Sequence, residues 1–167
     1  AGCTRTQTFT ITAPPALTST GSQTNILCNG TCTGTASVTP SGGVGPYTYV
    51  WAPSGGTAAS ATGLCVNTYT VTFTDANGCT GTRTFSITQP PALSSTISAT
   101  AATCNMSNGS ASVSVSGGVG PYTYLWAPSG GTGATATGRP AGTYTVTYTD
   151  ANGCTGTATV TILNNAA

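Results

Sequence analysis

Apart from cysteine and tyrosine, the ionisable side chains of this chain are Arg5, Arg83, Arg139, Asp75 and Asp150, with no lysine, glutamate or histidine. A serine, threonine or cysteine nucleophile needs a neighbouring base, and histidine and lysine are the usual ones. Two carboxylates can share a reaction only within one cleft, whereas these two occupy equivalent turns of different repeats. We therefore expect no enzymatic activity, no catalytic residue and no cofactor.

Each aspartate opens a DANG turn, where asparagine and glycine can take the positive φ of a tight hairpin. Aspartate in such a turn usually accepts hydrogen bonds from the turn backbone. Calcium needs roughly six to eight oxygen ligands and usually several carboxylates, and each repeat has one. We therefore expect turns and no metal site at Asp75, Asn77, Gly78, Asp150, Asn152 and Gly153.

Seven cysteines in a short chain without histidine are typical of disulfides, and so of an oxidising, extracellular or cell-surface location. Cys32 and Cys65 occur in the first repeat alone, which predicts that they pair with each other. The other five recur with the repeat, as Cys28 and Cys104 and as Cys3, Cys79 and Cys154.

Two pairings stay open for the recurring cysteines. Pairing inside repeats gives Cys28–Cys79 and Cys104–Cys154. A seven-strand sandwich layout places Cys28 and Cys79 at opposite poles, beyond the roughly 7 Å between Cα atoms that a disulfide allows. The same layout brings Cys28 near the head of the following repeat, where a Cys28–Cys154 bond would fasten neighbouring repeats.

The low charge excludes some partners. The net charge is +1, and three scattered arginines neither replace the counterions of a nucleic acid nor form the basic patch that an anionic membrane attracts. No apolar stretch reaches the about 18 residues of a membrane span. We expect neither nucleic-acid binding nor membrane insertion, and a neutral polar surface suits a protein that is packed, tethered or glycosylated.

The chain repeats itself. PYTYVWAPSGGTAASATG at 46–63 returns at 121–138 as PYTYLWAPSGGTGATATG, and AGCTRTQTFTITAPP at 1–15 aligns with NGCTGTRTFSITQPP at 77–91. We interpret the chain as a window on a longer tandem array. The expected divisions are the last strand of a preceding repeat at 1–12 and β-sandwich repeats at 13–89 and 90–167.

Short alternating runs broken by Gly, Pro and Asn, without a helical period, predict an all-β fold. Six or seven strands in each repeat of about 75 residues predict tandem immunoglobulin-like (Greek-key) β-sandwiches. In the first repeat we expect a strand ending near Leu27 and a weak pair within 57–64. The other strands are expected at 35–40, 47–52, 68–75 and 79–88.

Parity assigns the faces of TYTVTFT at 68–74: Tyr69, Val71 and Phe73 point to the core, and the threonines point outward. The rows of threonine on the outer face are explained by the preference of threonine for β-sheet. O-glycosylation of these threonines is a further interpretation. Ice binding would need the threonines to form a flat lattice, and the twist of a sandwich sheet opposes one. In the second repeat, GRPAGTY precedes the strand, and Tyr144 just after Gly142 resembles a tyrosine corner. The expected core anchors are Trp51, Trp126, Tyr69 and Tyr144.

Four pieces of sequence carry a resemblance, in order: a Cys-Asn start, SGGVGPYTYxW, GxxAGTYTVTxTD, and ANGC before a closing strand. In these pieces each repeat resembles the SprB-type repeat of very long cell-surface adhesins of gliding Bacteroidota. The first repeat departs from this pattern at LCVNTY and at Cys32. The resemblance implies secretion, display in filaments and a role in adhesion or gliding motility.

These observations predict a structural and adhesive segment of a long secreted bacterial surface filament. Its expected partners are neighbouring repeats of the same chain or filament and surface glycans. The alternative is an array of carbohydrate-binding modules on a secreted protein. An exposed aromatic platform would distinguish that alternative from a stalk.

Overall fold

The computed structural model describes residues 2–128 and 131–165. Two compact units form, one from Ala1–Thr24 with Gly34–Ile87 and the other from Asn25–Thr33 with Thr88–Ala167. Segment 25–33, which the sequence places in the first repeat, therefore belongs to the second unit. Among the described residues the regular structure is all strand, and no helix there is long and apolar enough to cross a membrane.

Unit 1 is built from six strands in two antiparallel sheets, ordered β1-β2-β4 and β3-β5-β6. If the strands are lettered along the chain as A, B, C, E, F and G, the sheets read A-B-E and C-F-G, which is the immunoglobulin arrangement without its D strand. The strands are β1 (Thr18–Thr24), β2 (Gly34–Ser41), β3 (Thr48–Ala52), β4 (Ser60–Leu64), β5 (Asn67–Thr74) and β6 (Thr80–Ile87).

Unit 2 repeats this order as β7-β9-β11 and β10-β12-β13, and adds a short parallel pair, β8 with β14. The fold is therefore all-β, with tandem immunoglobulin-like sandwiches. The strands are β7 (Ser94–Thr100), β8 (Ala102–Thr103), β9 (Gly109–Ser116), β10 (Thr123–Ala127), β11 (Thr135–Arg139), β12 (Gly142–Thr149), β13 (Thr155–Ile162) and β14 (Asn164–Asn165).

The core of each sandwich comes from the alternation of side chains along its strands. On β5, Tyr69, Val71 and Phe73 are buried while the threonines between them face outward, so the parity prediction is confirmed. Both sheets of unit 2 supply its core, with Ala111 and Val113 from one sheet packing against Trp126, Tyr144 and Val146 from the other. Burial of these inner faces is what holds the two layers together.

The glycine of CTGT, at 79–82 and 154–157, leaves space for an aromatic ring of the neighbouring strand. Gly81 lies opposite Phe73 across the β5–β6 ladder, and a Cβ added at Gly81 would stand 2.5 Å from the Phe73 ring. Gly156 makes the same close approach to the ring of Tyr148 in unit 2. The missing side chain gives the cross-strand aromatic ring its place in the core.

The four aromatic core anchors all lie inside the sandwiches, where each also finds a hydrogen-bond partner. Trp126 on the C strand donates its indole N–H to the Gly133 carbonyl at 3.0 Å. Tyr144 on the F strand donates its hydroxyl to the Pro140 carbonyl at 3.0 Å, four residues upstream, which is the geometry of a tyrosine corner. Trp51 and Tyr69 do the same in unit 1, toward Ala58 and Cys65.

Three strand predictions need correction. The first strand ends at Thr24, because Asn25–Thr33 leaves that sheet. The segment 57–64 holds one strand, β4, instead of a pair. Residues 2–12 form no strand: no other strand pairs with them here, and a strand needs a neighbour for its backbone hydrogen bonds. Phe9 and Ile11 are accordingly 76% and 95% exposed, whereas their counterparts Phe85 and Ile87 are buried.

Replacement of Val71 by alanine tests the assignment of faces. Val71 is fully buried beside Trp51, so V71A should lower the free energy of unfolding by about 2 kcal/mol. The matched control is V50A on the neighbouring strand, where the side chain is 60% exposed; it should stay within about 0.5 kcal/mol of the parent. Urea unfolding followed by tryptophan fluorescence measures both, and equal losses would contradict the assignment.

Candidate functional site

The DANG turns are held by a buried carboxylate. Asp150 accepts hydrogen bonds on Oδ1 from the backbone N–H groups of Asn152 (2.9 Å) and Cys154 (2.8 Å), and on Oδ2 from that of Val119 (3.0 Å). Asp75 makes the three equivalent bonds in unit 1 with the same lengths. One side chain therefore shapes the loop, sets the backbone of the cysteine that ends it and ties the hairpin to the SGGVGP loop.

The turn differs from a two-residue hairpin. Because Thr74 pairs with Thr80, residues 75–79 form a five-residue loop. Within it the positive φ falls on Gly78 (84°) and not on Asn77. The loop in unit 2 is built alike, with Gly153 at 82°.

Hydrogen bonding lowers the pKa of both carboxyls. At Asp75 the largest influence is the bond from the Val44 N–H; together with those from the turn it outweighs desolvation and lowers the pKa. At Asp150 desolvation by burial is the largest single influence and raises the pKa, but the bonds from Val119 and the turn together outweigh it, so the pKa is again lowered. Both side chains are 5% exposed, and both are held as carboxylates by N–H donors.

Cys154, at the end of this loop, is bonded to Cys28. The two Cα atoms lie 5.6 Å apart across a sequence separation of 126 residues, within the range that a disulfide accepts. Asn152 of the same loop donates its side-chain N–H to the Leu27 carbonyl at 3.0 Å. The aspartate turn thus holds segment 25–33 by one covalent bond and one hydrogen bond.

The other side of segment 25–33 is bound to the stretch between the repeats. The Ile26 N–H donates to the Thr88 carbonyl at 2.9 Å, and the Asn29 side chain donates to the Pro90 carbonyl at 2.9 Å. Ile26 is 2% exposed. A cavity of about 450 Å³ lies beside the disulfide and is lined by this Pro-Pro stretch, the segment and the Asp150 loop. We call this arrangement of segment 25–33, residues 88–93 and loop 150–154 the junction.

The remaining cysteines fall into two groups. Of the two pairings that the sequence leaves open, the structure contains Cys28–Cys154 and not the pairing inside repeats. Cys32 and Cys65 are also disulfide-bonded. The free thiols, all exposed, are Cys3, Cys79 and Cys104.

The sequence predicts no metal site at the two aspartate loops. Within residues 2–128 and 131–165, no group of three or more His, Cys, Asp or Glu side chains is placed to hold a metal ion. At each aspartate both carboxylate oxygens already accept backbone N–H groups.

The chain is similar to one protein family and to several solved structures. A family model described as the SprB repeat matches residues 20–56 and 96–131. No curated protein sequence matches the chain. Similar solved structures include one described under "Structural basis for Dscam isoform specificity", at 10% identity and a TM-score of 0.39, covering 90% of this chain and 47% of that one. Another is the amphioxus IgVJ-C2 molecule, at 16% identity and a TM-score of 0.35, covering 86% and 96%. The chain spans about half the length of the Dscam structure.

Replacing both aspartates by asparagine should remove the acid sensitivity of folding. The folded-state pKa of each carboxyl is lowered, so its stabilisation is present above the unfolded value of about 3.9 and is lost as pH falls through the folded value. The parent should lose stability from about pH 4 downward. D75N/D150N should be less stable than the parent at pH 7, because the side-chain NH₂ group cannot accept a hydrogen bond from the backbone N–H group that it faces. Below about pH 4 the free energy of unfolding of the variant should not change with pH.

Urea midpoints at several pH values between 7 and 2 measure this difference. The two aspartates are the only acidic side chains in the chain, and the terminal carboxyl is common to parent and variant. The single variants D75N and D150N should each keep part of the slope. An unchanged slope in the double variant would show that the turns do not bind the carboxylate form preferentially.

Proposed function

Because this chain carries two SprB repeats, a repeat of cell-surface proteins, we propose that it is a load-bearing segment of a long, secreted surface filament, the stalk of an adhesin. The observation that carries this proposal is the Cys28–Cys154 disulfide. Adhesion and gliding both load a surface filament along its length, so the path of that load through the chain decides how the segment behaves.

The disulfide shortens the load path. When the chain is pulled by its ends, tension passes from Cys28 through the two sulfur atoms to Cys154, and residues 29–153 lie outside the path. An extended chain spans at most about 3.6 Å per residue, so a separation of 126 residues withholds roughly 450 Å of length. Strands β2 to β12 lie within the bypassed part, so tension between the ends does not pass through them, whereas β1 before Cys28 and β13 and β14 after Cys154 remain in the load path.

The surface also suits a repeating assembly. Pairs of hydroxyl groups face each other across the outer strands, as between Thr70 and Thr84 (3.2 Å) and between Thr145 and Thr159 (3.0 Å). These side chains satisfy one another without charge, and the net charge of the chain is +1. Neighbouring repeats, as the proposed partners, can therefore approach without electrostatic repulsion.

The disulfides support the proposed location. Cys28 and Cys154 are joined, and Cys32 and Cys65 are disulfide-bonded as well, which fits an oxidising compartment. We place the segment outside the cell, on filaments that serve adhesion or gliding, and give it no catalytic role.

Single-molecule pulling between the two ends tests the load path. The oxidised chain should show an extendable length shorter by roughly 450 Å than the chain reduced with dithiothreitol. C154A should regain most of this length without reductant, and reduction, which also opens the disulfide bonding at Cys32 and Cys65, should release the rest. C79A is the matched control, because Cys79 occupies the equivalent loop position without a disulfide, and it should behave like the oxidised parent. Equal extension of the oxidised and reduced parent would contradict the load-bearing proposal.

A glycan array separates the stalk from the alternative of carbohydrate-binding modules. Sugar-binding modules stack an exposed aromatic ring on the sugar, but Trp51 and Trp126 are buried and Tyr49 and Tyr124 are half-buried. The full chain should therefore give no specific signal on the array. A specific signal that is lost in Y49A/Y124A, while V50A keeps it, would favour the hypothesis of carbohydrate-binding modules over that of a stalk.

A further inference from the structure

The junction contains two complementary halves, and each half occurs a second time in the chain. The first half is the loop half, an aspartate turn ending in a cysteine, here Cys154. The second is the segment half, a Cys-Asn stretch bound to the residues that follow the last long strand of a sandwich, here carrying Cys28. In the repeat, Cys79 corresponds to Cys154 and Cys104 corresponds to Cys28. Both Cys79 and Cys104 are exposed free thiols.

The loop half at Cys79 is already built. Asp75 accepts the Cys79 N–H at 2.8 Å and the Val44 N–H at 3.0 Å, the same lengths as the bonds that Asp150 makes to its own loop. Because these bonds shape the loop around the cysteine, Cys79 is presented as Cys154 is. It differs from Cys154 in lacking a bonded partner.

The segment half at Cys104 is anchored in the same way as the one at Cys28. Ala102, at the position of Ile26, is fully buried and donates its N–H to the Leu163 carbonyl at 2.8 Å. The Asn105 N–H then donates to the Asn164 side chain at 3.1 Å. The turn that follows is one residue shorter than after Cys28, and Cys104 (φ 51°) and Asn105 (φ 56°) take positive φ. What the two segments share is therefore the anchoring, and Cys104 is an exposed free thiol where Cys28 is bonded.

We propose that Cys104 and Cys79 are the segment half and the loop half of further junctions, so that Cys104 of one SprB repeat unit bonds the Cys79-type cysteine of another. Such a contact joins unlike surfaces of the two units. A pair of units joined head to tail keeps one unused half at each end, and so this kind of contact extends a chain of units. The occupant in a solution of this protein alone is a second copy of the chain.

The bond forms by thiol–disulfide exchange with a small disulfide oxidant such as oxidised glutathione. The Cys104 thiolate attacks the oxidant, forms a mixed disulfide and releases one glutathione thiolate. The Cys79 thiolate of the second copy then attacks the Cys104 sulfur and releases the second glutathione. The two cysteines lose two electrons and two protons, and the oxidant is reduced to two glutathione thiols.

Incubation of the full chain at high concentration in a glutathione redox buffer tests the proposal. A non-reducing gel should show a ladder of oligomers that collapses to monomer on reduction. Peptide mapping should find Cys79 linked to Cys104 between copies, with Cys28–Cys154 retained. C79A alone and C104A alone should each stay monomeric, and an equal mixture of the two should stop at a dimer. C3A should keep the full ladder, because Cys3 shares the repeat position of Cys79 but lies in a stretch without a strand and is not held by an aspartate turn as Cys79 is.

Tryptophan fluorescence and the retained Cys28–Cys154 peptide establish that each variant is folded, and peptide mapping of the parent decides independently of any variant. A chain that stays monomeric, or links dominated by Cys104–Cys104, Cys79–Cys79 or Cys3, would overturn the proposal. The inference rests on the repeat assignment and not on the adhesive role. Its failure would leave the load path through Cys28 and Cys154 intact, and the pulling experiment tests that separately.

Discussion

The junction depends on the hydrogen bonds that the carboxylate of Asp150 accepts. Three backbone N–H groups converge on it, and they add to the backbone hydrogen bonds that Asp150, Ala151 and Gly153 make in the same loop. That loop holds Cys154 at the spacing that Cys28 can reach. The disulfide in turn determines which residues tension between the two ends would pass through. A single buried side chain therefore links the local turn to the behaviour of the whole segment.

The near absence of charge leaves other interactions to stabilise the sandwiches. With two acidic side chains in the chain, each placed in a turn, there is no network of ion pairs to carry stability. The sandwiches depend instead on apolar burial between two sheets, on paired hydroxyls across the outer strands and on disulfides. Disulfides persist in an oxidising compartment, and a surface with so little charge does not repel its own copies.

Much of the sandwich could be predicted because its signals are local. Alternation along TYTVTFT separates Tyr69, Val71 and Phe73 from the threonines without reference to any distant residue. The predictions failed where distant contacts decide. The strand expected to end near Leu27 ends at Thr24 because Ile26 is bound by Thr88, 62 positions along the chain. Phe9 and Ile11 have the pattern of a core strand but no partner strand here.

The sequence by itself determined the all-β class, the repeat, the inward faces of the strands and the aspartate turns. The class, the faces and the turns follow from residue types within about ten positions of one another, which set backbone preference and side-chain direction, and the repeat follows from the match between 46–63 and 121–138. The tertiary structure decided the partner of Cys28. A disulfide needs two Cα atoms within about 7 Å, and the sequence places Cys79 closer to Cys28 than Cys154 is. Only the folded path of segment 25–33 into the second unit brings Cys28 to Cys154, 126 residues away.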